Sequence, residues 1–251
     1  MQNKKNFLKI AGTTEDPTLI DGFPGFQAKT NPGLSAVRVK NSLPIARVRG
    51  RLSEFARAVA GARLIRKAVS PLRSNPPSAK EKRSLVNKLL EIIMYDQANS
   101  PGNRTISKGP VDLLEGFKFH SPKIPGVAMN AKVKSTTNRV TGELTIHVPA
   151  FIPAVSINPP PGATHFSFLS AGIELDFEQK KFIRDVKETA AITWDKTPTA
   201  EMDIVHQVTT ATTNVLVLVF GIRFFQSAGD VMNPMPNGSG NRLTILATSK
   251  V

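Results

Sequence analysis

The 251-residue chain contains no cysteine. That single absence removes disulfides, thiolate metal sites and thiol catalysis together. Aromatic residues other than phenylalanine are nearly missing, with one Trp and one Tyr beside 14 Phe. The lone Trp194 reads as a core or corner residue of a β domain, with a carbohydrate platform as the alternative. Long apolar runs are missing too. The longest, residues 215–222, is far short of the ~20 residues a helix needs to cross a bilayer. Near the N-terminus, Lys4 and Lys5 are followed only by Phe7, Leu8, Ile10 and Ala11 before Gly12 and a polar run. No Sec signal peptide is expected. This predicts a protein that stays in the cytoplasm or leaves it as an assembled particle.

Catalytic signatures are also lacking. There is no Gly-x-Ser-x-Gly elbow, no Walker loop and no Gly-x-Gly-x-x-Gly. Gly238-Ser-Gly240 lies in a Pro/Gly-rich stretch with no helical pattern behind it. His120, His147, His165 and His206 are not spaced as helical metal ligands, so each reads as a surface or boundary residue. Glu174 and Asp176 alternate onto one outer face of a strand and read as exposed sheet charges rather than calcium ligands. The expectation is a non-enzymatic protein with no cofactor and no metal.

What is present is positive charge. The chain has 33 basic and 19 acidic side chains, a net charge of +14. Fourteen of those cations but only two acids, Glu54 and Glu81, fall between Arg38 and Lys88. Charge so segregated points to an anionic partner or to a surface covered by another chain. The cations marked as an anion- or partner-binding set are Arg38, Lys40, Arg47, Arg49, Arg51, Arg57, Arg63, Arg66, Lys67 and Arg73. Arginine dominates, which favours bidentate contacts to phosphate or carboxylate. The one aromatic in the band, Phe55, is assigned to a helix core, so contacts to phosphates without reading of bases are expected.

Punctuation divides the chain into three. Residues 1–50, broken by Gly22, Pro24, Gly25, Pro32, Gly33 and Pro44, read as an extended arm with short strands. Residues 37–40 and 46–49 alternate apolar and basic side chains, as strands do. Residues 51–110 read as a basic helical hairpin. Its first helix starts near Ser53 with Phe55, Val59, Ala62, Ile65 or Arg66, and Val69 on one face, and Pro71 ends or kinks it. Its second opens on a capping box, Ser78 to Glu81, buries Leu85, Leu89, Ile92 and Ile93, and runs to about Gln97. Residues 111–251 read as an antiparallel β-sandwich. Leu144, Ile146 and Val148 alternate with polar neighbours, as do Phe166 and Phe168, and Ile173 and Leu175. Residues 215–225 form a near-continuous apolar strand. The predicted class is α+β, mainly β.

Several stretches resemble a family of uncharacterised bacterial proteins of the Bacteroidetes type, about 250 residues long. They are residues 72–75, residues 84–96 with the core Leu85-Val-Asn-Lys-Leu-Leu-Glu-Ile-Ile93, Leu113-Leu-Glu-Gly-Phe117, Val148-Pro-Ala-Phe-Ile-Pro153, residues 162–166 and 170–177, and Trp194-Asp195. The resemblance implies one continuous arm–helix–β architecture. It also implies a Gly-rich N-terminal hairpin, from whose pattern residues 22–31 depart. It implies no activity. The function expected is that of a structural protein self-assembling into a homo-oligomer or polymer such as a tube, filament, ring or shell. The alternative is a coat or binding protein that meets nucleic acid through residues 38–88 without sequence preference.

Overall fold

The computed structural model describes residues 18–22, 25–29, 43–119, 132–228, 231–238 and 241–251, with side chains from Val48 onward apart from Asn237. Two compact units are present, Met1–Ala46 and Arg47–Val251. In the first, β1 (Thr18–Gly22) and β2 (Gly25–Lys29) pair antiparallel, with Gly22 opposite Gly25. Residues 18–22 and 25–29 are thus an antiparallel pair, before and within the stretch whose glycine pattern departs from the family's. Arg38, Lys40 and the alternating stretch 37–40 lie outside the described residues.

Helix α1 spans Leu43–Ala68. It therefore covers residues 46–49, which are helical rather than extended. Pro44 sits in the first turn, where its missing N–H costs nothing, so it starts the helix instead of breaking it. The run that follows is rich in Ala, Arg and Leu, all strong helix formers. A 3-10 turn at Ser70–Leu72, entered through Pro71, ends it. The buried face is Glu54, Ala58, Gly61, Ala62, Leu64, Ile65, Ala68 and Val69. Small residues let the helix approach closely. A Cβ at Gly61 would lie 2.4 Å from Ile106 and 3.3 Å from Phe177. Phe55, expected on this face, is 48% exposed.

Helix α2 spans Ala79–Met94. Ser78 Oγ accepts the Glu81 N–H at 3.1 Å, as the capping box requires. Both Glu81 carboxylate oxygens meet Arg73, at 2.7 and 2.9 Å. Leu85, Leu89, Ile92 and Ile93 are fully buried, each contributing ~1.5–3 kcal/mol of transfer free energy. Asp96 closes the helix end. Its carboxylate accepts the N–H groups of Ala98, Asn99 and Thr105 and the Asn99 side-chain amide. Burial opposes ionisation there, yet these donors hold Asp96 below the usual carboxylate range.

Beyond the helices come nine further strands among the described residues, in two antiparallel sheets. A three-stranded sheet has the order β3 (Lys134–Asn138), β4 (Glu143–Val148), β8 (Met202–Gln207). The larger sheet is centred on β5 (His165–Asp176) and β9 (Val215–Ala228). On β5 pair β6 (Lys181–Glu188) and β7 (Ile192–Thr193); on β9 pair β10 (Val231–Pro234) and β11 (Arg242–Ser249). A single helical turn, α3 (Pro153–Ser156), precedes β5.

The β5–β9 pair is covered on both faces. One face presents Leu169, Ala171, Ile173, Val217 and Val219 to the core that holds α1 and α2. The other presents Phe166, Phe168, Leu216, Leu218 and Phe224 to Leu144, Ile146 and Ile204 of the small sheet. The unit is therefore small sheet, large sheet and helices in three layers. Helices and sandwich share a core, and the 110/111 boundary drawn from the sequence falls inside one compact unit. The class is α+β and mainly β, as the pattern predicted.

Candidate interaction surface

The structure separates the sequence-marked cations by the work each does. Arg73 is nine-tenths buried in its bidentate pair with Glu81. Arg57 donates to the Gly102 and Arg104 carbonyls at 2.8 and 3.0 Å, while Ser53 Oγ donates to the same Gly102 carbonyl and Glu54 accepts the Gly102 N–H. These two arginines hold loops onto helices through internal partners. Arg66 is half-buried. Burial, reinforced by Arg63 beside it, pulls its guanidinium below the usual value, and Glu81 opposes this. The Arg47 side chain lies outside the described set. Arg49, Arg51, Arg63 and Lys67 are exposed on α1.

The outward face of α1 has two parts. Its first turns carry Val48, Leu52 and Phe55, which are 54%, 62% and 48% exposed. Their spacing of four and three places them in one stripe. The helix then turns cationic. Arg63 and Lys67, one turn apart, form one wall of a cavity of about 640 Å³. Lys180 and Lys181, in and after the β5–β6 turn, also line it, with Ala60, Leu64, Phe182, Ile183 and Asn214. The sequence band stops at Lys88, so these two lysines were not marked. Nothing in their spacing ties them to α1. Arg184 of β6 makes the junction rigid by donating to the Lys67 and Ala68 carbonyls at 3.0 and 3.1 Å.

The cavity also reaches Glu174 and Asp176. Glu174 is not an exposed sheet charge: it is only 4% exposed. Its strand is central, with a layer on each side, so neither face is outer. Thr212 Oγ1, Asn214 Nδ2 and the Thr209 N–H donate to its carboxylate at 2.6, 2.8 and 3.3 Å. Burial raises its pKa, but these donors outweigh that and hold it below the ordinary glutamate value. Asp176 accepts the N–H groups of Glu178 and Gln179 within its own turn.

A second polar cluster lies between the sheets. Ser170 Oγ is 2.9 Å from His206 Nε2, and His206 Nδ1 is 3.4 Å from Asp185. The order is that of nucleophile, base and orienting acid. Ser170 and His206 are both fully buried, so no acyl substrate can reach the hydroxyl. Burial pulls His206 below its ordinary value, against the pull of Asp185, and keeps the ring neutral. His206 is therefore a core residue and not the surface or boundary residue expected. Trp194 is part-buried against the same core and donates Nε1–H to the Ile157 carbonyl at 3.0 Å.

Among the described residues no group of three His, Asp or Glu is placed to hold a metal ion, and no helix is long and apolar enough to cross a membrane. No protein-family model matches the sequence, and no curated protein matches it. A solved structure of CC2D1B, described as coordinating ESRCT-III activity during the mitotic reformation of the nuclear envelope, is similar at a TM-score of 0.24 and 12% identity over 84% of this chain and 76% of that one. Agreement at that level carries no argument about fold or function.

Proposed function

We propose that this is a non-enzymatic structural protein that self-assembles into a homo-oligomer or polymer, and that the outward face of α1 is a contact between copies. The observation that carries this reading is the stripe of Val48, Leu52 and Phe55 on a helix whose opposite face is already buried. Three large apolar side chains in one row are costly to leave in water, at ~25 cal/mol per Å², and such patches mark interaction sites. Flanking cations, Arg49 and Arg51, supply a polar rim of the kind interfaces have. The nucleic-acid alternative has less support, because Arg57 and Arg73 are committed to internal partners.

Size-exclusion chromatography with light scattering at micromolar concentration tests the reading. The full chain is expected to elute as an oligomer, and Leu52→Glu with Phe55→Glu as a monomer with unchanged circular dichroism. A wild-type chain that stays monomeric across that range sinks the proposal.

A further inference from the structure

We infer that the cleft between α1 and the β5–β6 turn binds a phosphate-rich anion of nucleotide size. Four cations from two elements far apart in sequence meet there. Arg63, Lys67, Lys180 and Lys181 all line one cavity. None of the four forms an ion pair among the described residues. The two acids that reach the same space, Glu174 and Asp176, offset two of the four charges and leave a formal net charge of +2. Glu174 is engaged on both oxygens by Thr212, Asn214 and Thr209, and Asp176 caps its own turn. Among the described residues Lys181 Nζ donates to Gln179 Oε1 at 3.2 Å, and the surplus positive charge on the lining calls for an anion.

Lys180 supplies an independent observation. Its φ is +57°, one of only two non-glycine residues in that region among those described. Gly or Asn adopts this conformation at lower cost, so the turn gains nothing locally from lysine. What lysine adds is a charge at the mouth of the cleft. Strained residues held at such positions cluster at ligand sites.

Shape fixes the class of ligand. The cavity of about 640 Å³ lies within the ~300–1,000 Å³ of small-molecule sites. Its lining combines the four cations and two carboxylates with the apolar side chains of Ala60, Leu64, Phe182 and Ile183. Arg184 stacks on the Phe182 ring at 5.4 Å and also donates to the Lys67 and Ala68 carbonyls, which ties β6 to α1 beside the cavity. Phosphates on the four cations, with a flat apolar group over Phe182, satisfy both halves. This site is independent of the self-assembly reading, which concerns the first turns of α1.

Isothermal titration of the full chain with adenosine triphosphate, adenosine diphosphate and adenosine, at about 50 and about 300 mM salt, tests the inference. The triphosphate should bind more tightly than the diphosphate, adenosine should not bind, and affinity should fall with salt. Lys67→Glu should weaken the triphosphate by about tenfold. Lys82→Glu, the same charge change on α2 away from the cleft, should alter it by less than about twofold. Lys180→Gly should weaken binding and raise Tm together, since it removes the charge and relieves the backbone. An unlabelled oligonucleotide that displaces the triphosphate assigns the phosphates to nucleic acid, and one that does not assigns them to the free nucleotide. No binding of any phosphate at low salt overturns the inference. So does an equal loss for Lys67→Glu and Lys82→Glu, or an unchanged affinity for Lys180→Gly.

Discussion

Replacing Arg73 by Met should destabilise the Arg47–Val251 unit far more than any surface arginine would. The Arg73 and Glu81 side chains are only 9% and 6% exposed, and they meet through two short bonds. Removing the guanidinium leaves a buried carboxylate without its hydrogen-bonded partner, with only the unbonded charge of Arg66 nearby, at a cost of ~3–5 kcal/mol. For a unit of this size each kcal/mol corresponds to ~2–4 °C, so Tm should fall by ~6–20 °C. The double variant Arg73→Met with Glu81→Met removes both charges and leaves methylenes of similar length. It should lie within ~1–2 kcal/mol of the wild type, part of that from the lost negative charge at the helix N-terminus. The coupling energy should then be at least ~2 kcal/mol. Urea unfolding followed by circular dichroism on the four members of the cycle measures it. If Arg73→Met costs under ~1 kcal/mol and the two changes add, the pair is solvated. Arg73 would then be available to an outside anion, and the separation of structural from surface cations made above would fail.

Two further outcomes are expected in stability measurements. Burial lowers the His206 pKa, so between that value and ~6.5 the unfolded chain binds the extra proton. Stability carried by neutral His206 is full above ~6.5 and falls as pH drops below it; melts at stepped pH should show the decline in the wild type and a flatter profile in His206→Gln, and identical profiles would refute it. Gly172→Ala would place a Cβ 2.6 Å from the His206 Cβ, which should cost ~1–3 kcal/mol by overpacking; a neutral effect in urea melts would show that the sheets separate freely at this point.

Legibility in the sequence followed how much of a residue's environment is local. The Ser78–Glu81 cap and the Leu85, Leu89, Ile92, Ile93 face could be read directly, because one helix turn contains all their partners. The long apolar strand was equally plain, since burial on both faces leaves no alternation to misread. Glu174 was misplaced because alternation tells which side of a strand a residue is on, not whether a layer covers that side. Phe55 was assigned to the core of α1 because size and hydrophobicity favour it over Ala58 and Gly61. Packing chose the small residues, since Ile106 and Phe177 press close against the helix. Pro44 was read as a break although the first turn of a helix accepts it. The cationic cleft was out of reach altogether, because only the tertiary fold brings Lys180 to Arg63.

The shared position of β5 and β9 has a consequence for how the chain is made. Both cores are built on this pair, and β9 ends at Ala228. During synthesis α1 and α2 emerge early, with Leu85, Leu89, Ile92 and Ile93 still lacking the sheet against which they pack. β5 follows, but the strand that backs it along most of its length arrives last but two. Until then neither side of the sandwich can close, and apolar surface from most of the molecule is exposed at once. The nascent chain should therefore be prone to aggregation through most of its translation. Truncation just before Val215 should leave no folded remnant of either core.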